Sequence, residues 1–340
     1  MRSRREGEAA ELATPIIETR NLGVDYLLES GTVNAVRDVS FQINLGEIVG
    51  LVGESGCGKS TLAMTFLKIV TPPGKITKGK IFYYSGADGQ NGPVSVLEMT
   101  SGKLRRYRWK EVSMIFQASM NSLNPVIRVE EQLIDTMLDH GYDEEEADRR
   151  VNVYLNMAGL DPKVRRSFPH ELSGGMKQRV VIAMALCCEP KFLIADEPTT
   201  ALDVVVQRQI LDQLKELSRK LGLSVLFITH DISVIAGLAD RLAVMYAGKI
   251  VEVGTVTEVF KTPLHPYTAA LMSSFPSLTG EKKKLRGIPG APPDLRKSVT
   301  ECPFAPRCPR VFDKCHTGEP PLIKSADGHM AACYLINMEK

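Results

Sequence analysis

Apolar positions along this 340-residue chain fall into two kinds of run. Glu47-Ile48-Val49-Gly50-Leu51-Val52, Phe192-Leu193-Ile194-Ala195 and residues 224–229 are short and almost wholly apolar, the pattern of strands buried on both faces. Elsewhere apolar residues recur every three or four positions, as at Ile210, Leu214, Leu217 and Leu221, which line one face of a helix. Alternating strands and helices predict an α/β body: a parallel, helix-covered sheet with ligands at the strand ends. Residues 18–24 and 33–43 are rich in β-branched side chains and are split by the turn Glu29-Ser30-Gly31, so they read as a β-meander. Residues 59–70 read as a helix ended by Thr71-Pro72-Pro73-Gly74. From about 117 to 171, Val129, Leu133, Met137, Val151 and Leu155 fall at helical spacing, and the acidic stretch 143–148 suits an exposed helix start. That pattern predicts a helical insertion, closed by Ser173-Gly174-Gly175 and a helix over 176–187. Beyond about residue 255, prolines from Pro263 to Pro321 disfavour long helices and predict an irregular appendix.

Composition narrows this picture. A net charge of +2 is too small to argue for nucleic acid through bulk electrostatics. No stretch reaches the ~20 apolar residues that a membrane-spanning helix requires, so any membrane association is expected to run through a partner. The basic start Met1-Arg2-Ser3-Arg4-Arg5 lacks a following apolar segment and reads as a disordered lead, residues 1–15, rather than a secretory signal. Cys57, Cys187 and Cys188 read as small buried or loop residues, whereas Cys302, Cys308, Cys315 and Cys333 gather near the end of the chain.

The chemistry is carried by two glycine-rich turns. Gly53-Glu54-Ser55-Gly56-Cys57-Gly58-Lys59-Ser60, followed by Thr61, fits G-x-x-x-x-G-K-[ST] between a strand and a helix. Backbone N–H groups of such a loop wrap phosphates while Lys59 reaches their terminal oxygens. Leu172-Ser173-Gly174-Gly175-Met176-Lys177-Gln178-Arg179 is a second turn opening a helix, hence a second anion site. One nucleotide needs one cradle; two suggest ATP shared between subunits. Phosphoryl transfer to water also needs a metal and an oriented nucleophile. Ser60 is placed to bind Mg²⁺ with Asp196, at the end of its apolar strand, as partner. Glu197 follows as the group to polarise water. Gln117 can join metal and water, and His230, ending the next strand, can hold the γ-phosphate or the water. Taken singly, each has a structural alternative; their order around a good phosphate loop favours the catalytic one.

Taken in order, residues 53–60, Gln117, residues 172–179, Asp196-Glu197-Pro198, Ala201-Leu202-Asp203 and His230 resemble the motif set of an ABC-type ATPase subunit, a P-loop NTPase, over roughly residues 16–255 with a helical subdomain at about 117–175. The resemblance implies that Tyr26 stacks on adenine and that Asp203 lies at the subunit seam. It also implies a head-to-tail dimer, with the same or a related chain, in which ATP on one subunit's Lys59 loop is capped by the partner's turn at Ser173, Gly174 and Gly175. Ala118-Ser119 departs from the acidic residue and proline common after the glutamine, which touches the coupling surface more than catalysis.

The stretch 256–340, through His265-Pro266-Tyr267-Thr268, Gly287-Ile288-Pro289-Gly290-Ala291-Pro292-Pro293 and Cys302-Pro303-Phe304, resembles the C-terminal extension of oligopeptide/dipeptide importer ATPases. This implies an ATP-hydrolysing subunit peripheral to the cytoplasmic face of the membrane, working with two transmembrane permease subunits and an extracytoplasmic solute-binding protein. The same machinery carries oligosaccharides or nickel in relatives. A soluble ABC ATPase acting on nucleic acid or ribosomes, or a non-hydrolysing scaffold, are the readings of another class. The spacing C-x5-C-x6-C-x17-C matches neither a zinc ribbon nor the ferredoxin run. Four thiolates could hold a [4Fe–4S] cluster, which the resemblance favours, or Zn²⁺, with His316 and His329 as alternative ligands; unligated thiols are the third reading. A metal staple would help so short an extension to fold.

Overall fold

The computed structural model describes residues 14–84, 92–200, 202–274, 287–325 and 328–337. Its centre is β3 (Ile48–Val52), with all five residues buried. β3 pairs in parallel with β8 (Ser224–Ile228) on one side and β9 (Arg241–Tyr246) on the other. β7 (Phe192–Asp196) and β6 (Val112–Ile115) continue the parallel sheet beyond β8. Side-chain alternation explains the unbroken apolar runs. Ile48 and Val52, Leu193 and Ala195, Val225 and Phe227 point into one core, while Val49 and Leu51, Phe192 and Ile194, Leu226 and Ile228 point into another.

The second core is closed by an antiparallel sheet. β1 (Pro15–Leu28) and β2 (Gly31–Asn44) form the expected meander, turning at Glu29-Ser30. β4 (Gly74–Tyr84) pairs with the other edge of β1, and β5 (Pro93–Ser95) follows. α1 (Lys59–Phe66) packs beneath this sheet and is shorter than its pattern predicts. Lys68 adopts a left-handed conformation (φ 51°) that breaks the helix before the prolines are reached. α2 (Ser101–Lys110) leads into β6.

The first core holds the helical insertion, α3 (Val129–Asp139) and α4 (Glu144–Met157), packed on α5 (Gly174–Leu186) and α6 (Val204–Leu221). Each of these helices except α3 starts on a side chain that accepts an orphan amide: Asp143 for α4, Ser173 for α5 and Asp203 for α6. Gly222, left-handed at φ 62°, ends α6.

After α7 (Ile232–Ala236) and β9, β10 (Lys249–Thr255) turns back antiparallel. The region beyond is less separate than its prolines suggest. α8 (Val256–Lys261) and α9 (Pro266–Ser273) are short, but β11 (Ile323–Lys324) and β12 (Met330–Ala331) extend the main sheet from the edge of β10. Phe304, Tyr267 and Leu295 are part of the first core itself. Of the expected disordered lead, residues 1–13 lie outside the described residues, as does Ala201. Among the described residues no helix is long and apolar enough to cross a membrane.

Candidate nucleotide-binding site

The loop leaving β3 can be built only from glycine at two points. Gly53 (φ 154°) and Gly58 (φ 103°) would bring an added Cβ to 2.1 Å from the Met245 carbonyl oxygen and 2.2 Å from that of Ala35. Gly58 is the N-cap of α1 and supplies no side-chain cap, so the first amides of the helix point freely into the loop. Lys59 is buried, and its ammonium donates to the carbonyls of Gly53 (2.8 Å) and Glu54 (3.0 Å), with the Cys57 thiol 3.7 Å away. The cation is thus folded over its own loop. Burial pushes the Cys57 thiol up, against the opposing pull of Lys59. Ser55 and Gly56 lie exposed along the loop, Ser60 and Thr61 on the first turn of α1. The Tyr26 hydroxyl is 3.4 Å from that of Thr61, which puts the aromatic beside the loop.

Two further strands deliver the acid–base groups. Asp196 ends β7 and is buried, and its Oδ1 has no hydrogen-bond partner. Burial pushes its pKa up, only partly offset by the Ser60 hydroxyl. An orphaned carboxylate oxygen beside a serine of the phosphate loop is a fitting seat for Mg²⁺, a hard cation that takes oxygen ligands.

Glu197 sits at a left-handed backbone position (φ 46°), a strain that fixes where its carboxylate points. Its Oε1 accepts from His230 Nδ1 at 2.9 Å, and its Oε2 from Gln117 Nε2 at 3.0 Å and Thr200 Oγ1 at 3.2 Å. Gln117 follows β6 and His230 follows β8, so three neighbouring strands converge on one carboxylate. The sequence-predicted set Lys59, Ser60, Gln117, Asp196, Glu197 and His230 is brought to one end of one sheet. Thr200 was not foreseen; nothing in its spacing marks it.

The second turn is placed otherwise. Ser173 caps its own helix by accepting from Met176 N at 3.4 Å, and Gly175 packs under Val206 of α6. Asp203 accepts from Val205 and Val206 amides at 3.1 and 3.0 Å. Among the described residues, no hydrogen bond or ion pair joins Ser173, Gly174, Gly175 or Asp203 to the loop at 53–61.

In the extension, Cys302, Cys308, Cys315 and Cys333 line a common, mostly apolar cavity. Burial raises the Cys302 thiol to about 11 and also pushes those of Cys308 and Cys333 up. The four thiols line one cavity, but among the described residues no three side chains from His, Cys, Asp and Glu are grouped to hold a metal ion. The alternative zinc ligands face elsewhere, His316 Nδ1 on Glu301 (2.6 Å) and His329 Nε2 on Glu252 (2.8 Å).

The ABC transporter family matches residues 36–200, and the oligopeptide/dipeptide transporter C-terminal region matches residues 251–315. The chain is 42% identical over 329 residues to the oligopeptide transport ATP-binding protein OppD of Bacillus subtilis, covering 95% of this chain and 90% of that one. It is 43% identical over 324 residues to the dipeptide transport ATP-binding protein DppD of the same organism, covering 94% of each. Among solved structures, the dimeric structure of a bacterial ABC transporter cassette, MJ0796, superposes with a TM-score of 0.61 at 28% identity, over 71% of this chain and 98% of that chain. The same cassette in a post-hydrolysis state with ADP and phosphate gives 0.60 at 27%, over 71% of this chain and 98% of that one.

Proposed function

Because the chain belongs to the ATP-binding subunits of oligopeptide and dipeptide ABC transporters, we propose that ATP hydrolysis at this site powers import of peptides through a membrane complex. The chain is an ATPase, and the observation that carries the mechanism is Glu197 suspended between His230, Gln117 and Thr200 at the mouth of the phosphate loop. The N–H groups of residues 56–60 and the Lys59 ammonium receive the β- and γ-phosphates once the cation leaves its own carbonyls. Tyr26 supplies a face for adenine. Glu197 orients and deprotonates the attacking water, with His230 holding the γ-phosphate side. Ser60, Gln117 and Asp196 would hold Mg²⁺, which neutralises charge on the phosphates when bound.

Ser173, Gly174, Gly175 and Asp203 act in trans on a partner's nucleotide. Their separation from the chain's own loop and the dimeric cassette among the similar structures support this. The partner is a second copy or a related ATPase, two permease subunits receive the work, and an extracytoplasmic binding protein supplies the peptide. The chain then sits peripherally on the cytoplasmic membrane face. The names of the relatives favour peptides over oligosaccharides or nickel, and the intact hydrolytic set disfavours a scaffold. Domain limits of 16–255 for the ATPase and 256–340 for the extension follow the same reading. A [4Fe–4S] cluster on Cys302, Cys308, Cys315 and Cys333 is proposed over Zn²⁺, supported by four thiols facing one cavity.

Phosphate release by purified chain, compared with Lys59→Ala, tests the ATPase reading; equal rates overturn it. Mixing a Lys59→Ala chain with a Ser173→Arg chain tests the trans arrangement. Activity is recovered in the mixture, as one composite site is intact, and no recovery refutes it. An anaerobic absorption spectrum with iron and zinc analysis tests the cluster, and a colourless, iron-free protein refutes it.

A further inference from the structure

The phosphate loop contains an acidic residue, Glu54, where a triphosphate is to bind, and the extension supplies its counter-charge. Arg307, in the loop between Cys302 and Cys308, grips that carboxylate with both ends of its guanidinium: Nη1 to Oε2 at 2.7 Å and Nη2 to Oε1 at 2.9 Å. This pair joins residues 253 apart in sequence. The Arg307 side chain is only 4% exposed. It is fixed from behind by donating Nε to the Pro289 carbonyl at 2.8 Å and by lying over the Tyr246 ring, 5.8 Å from its centroid. A second extension residue holds the same loop position by its backbone: the buried Tyr267 hydroxyl accepts from the Glu54 N–H at 2.9 Å. Glu54 is also one of the two residues whose carbonyls carry the Lys59 ammonium.

A paired guanidinium and carboxylate present nearly no net charge to a neighbouring anion, whereas a lone carboxylate repels it. We propose that Arg307 is a positioning residue of the nucleotide site, neutralising Glu54 and fixing the phosphate loop so that the extension sets nucleotide affinity. The proposal rests on the ATP reading above. It gives the region around the cysteines a route to the active site, since Arg307 is adjacent to Cys308 in the chain and Cys302 lies five residues before it.

The test is calorimetric titration of full-length protein with magnesium ADP, which is not hydrolysed. Arg307→Met is expected to weaken binding on the order of tenfold, as one uncompensated charge near the phosphates does at a protein's effective dielectric. Glu54→Gln in the same chain is expected to restore affinity to within about threefold of wild type, because it removes the unpaired carboxylate. An extension that merely props up the fold would not be rescued in this way, so weakening without rescue overturns the proposal, as does unchanged affinity in Arg307→Met. Should Arg307→Met fail to fold, the double variant Arg307→Met/Glu54→Gln decides, because removing both charges strands neither: it is expected to bind within about threefold of wild type, and a larger loss refutes the assignment. Failure of the wild type itself to bind nucleotide would instead sink the ATP reading, and this inference with it.

Discussion

Glu197→Gln separates charge from shape at the centre of the site. In the wild type Oε1 accepts from His230 Nδ1 at 2.9 Å, and Oε2 accepts from Gln117 Nε2 at 3.0 Å and Thr200 Oγ1 at 3.2 Å. A glutamine offers one carbonyl oxygen and one amide nitrogen in the same places, so either His230 or the pair Gln117 and Thr200 must turn. Gln117 can flip its amide and Thr200 can rotate its hydroxyl, and both are exposed enough to reach water. The structural cost is therefore that of about one hydrogen bond, ~1 kcal/mol, or roughly 2 °C in a chain of this size. The catalytic cost is far larger, because a positioned general base contributes about 10²–10⁴ in rate, some 3–5 kcal/mol at 1.36 kcal/mol per decade. Phosphate release at saturating ATP should fall by that factor while the melting temperature and the ATP-induced thermal shift stay close to wild type. ATP should then persist at the loop, and a nucleotide-stabilised dimer should accumulate on size-exclusion chromatography. A kcat within about threefold of wild type refutes the role of Glu197 as base. Loss of the ATP-induced shift would mean that the carboxylate holds nucleotide rather than water.

Three other outcomes follow from the same geometry. Burial raises the pKa of Asp196 above its ordinary value of 3.8, so the folded state holds this proton more tightly than the unfolded chain does. Its contribution to stability is thus present at low pH and lost as pH rises through the window from that ordinary value upward, and Asp196→Asn should raise the melting temperature of the nucleotide-free protein at neutral pH while abolishing magnesium-dependent hydrolysis; a lowered melting temperature contradicts this. Gly58→Ala places a Cβ 2.2 Å from the Ala35 carbonyl oxygen at φ 103°, so thermal denaturation should show a loss of several degrees and titration no nucleotide binding, whereas a soluble, wild-type-like variant would refute the backbone argument. His265 is buried, its Nδ1 accepts from the Tyr267 N–H at 3.0 Å, and burial lowers its pKa to about 4 from 6.5. Below about pH 6.5 the unfolded chain binds this proton and the native one does not, so stability should fall as pH drops from 6.5 toward 4, and a His265→Asn chain that shows the same acid slope would refute the assignment.

Most of the catalytic end of the sheet is legible in the sequence, for a physical reason. Strands buried on both faces show themselves as unbroken apolar runs, and a ligand site at their carboxyl ends is the residue that comes next: Gly53 after β3, Gln117 two residues after β6, Glu197 after β7, His230 two residues after β8. Local rules sufficed because each strand brings its own piece. β4 was less legible, being half-exposed along most of its length. The extension was legible only as composition. Its prolines do exclude long helices, but nothing local tells that Met330–Ala331 will add to the edge of β10 or that Phe304 will pack against both Tyr246 and Tyr267. Arg307 is the extreme case. An isolated arginine in a proline-rich stretch reads as solvated surface, and only the fold reveals a carboxylate 253 residues away waiting for it. A buried ion pair is costly unless both charges are satisfied together. Glu54 in the phosphate loop and Arg307 in the extension are each unfavourable alone, so the loop chemistry of the ATPase and the packing of the extension form one electrostatic unit rather than a domain with an appendage.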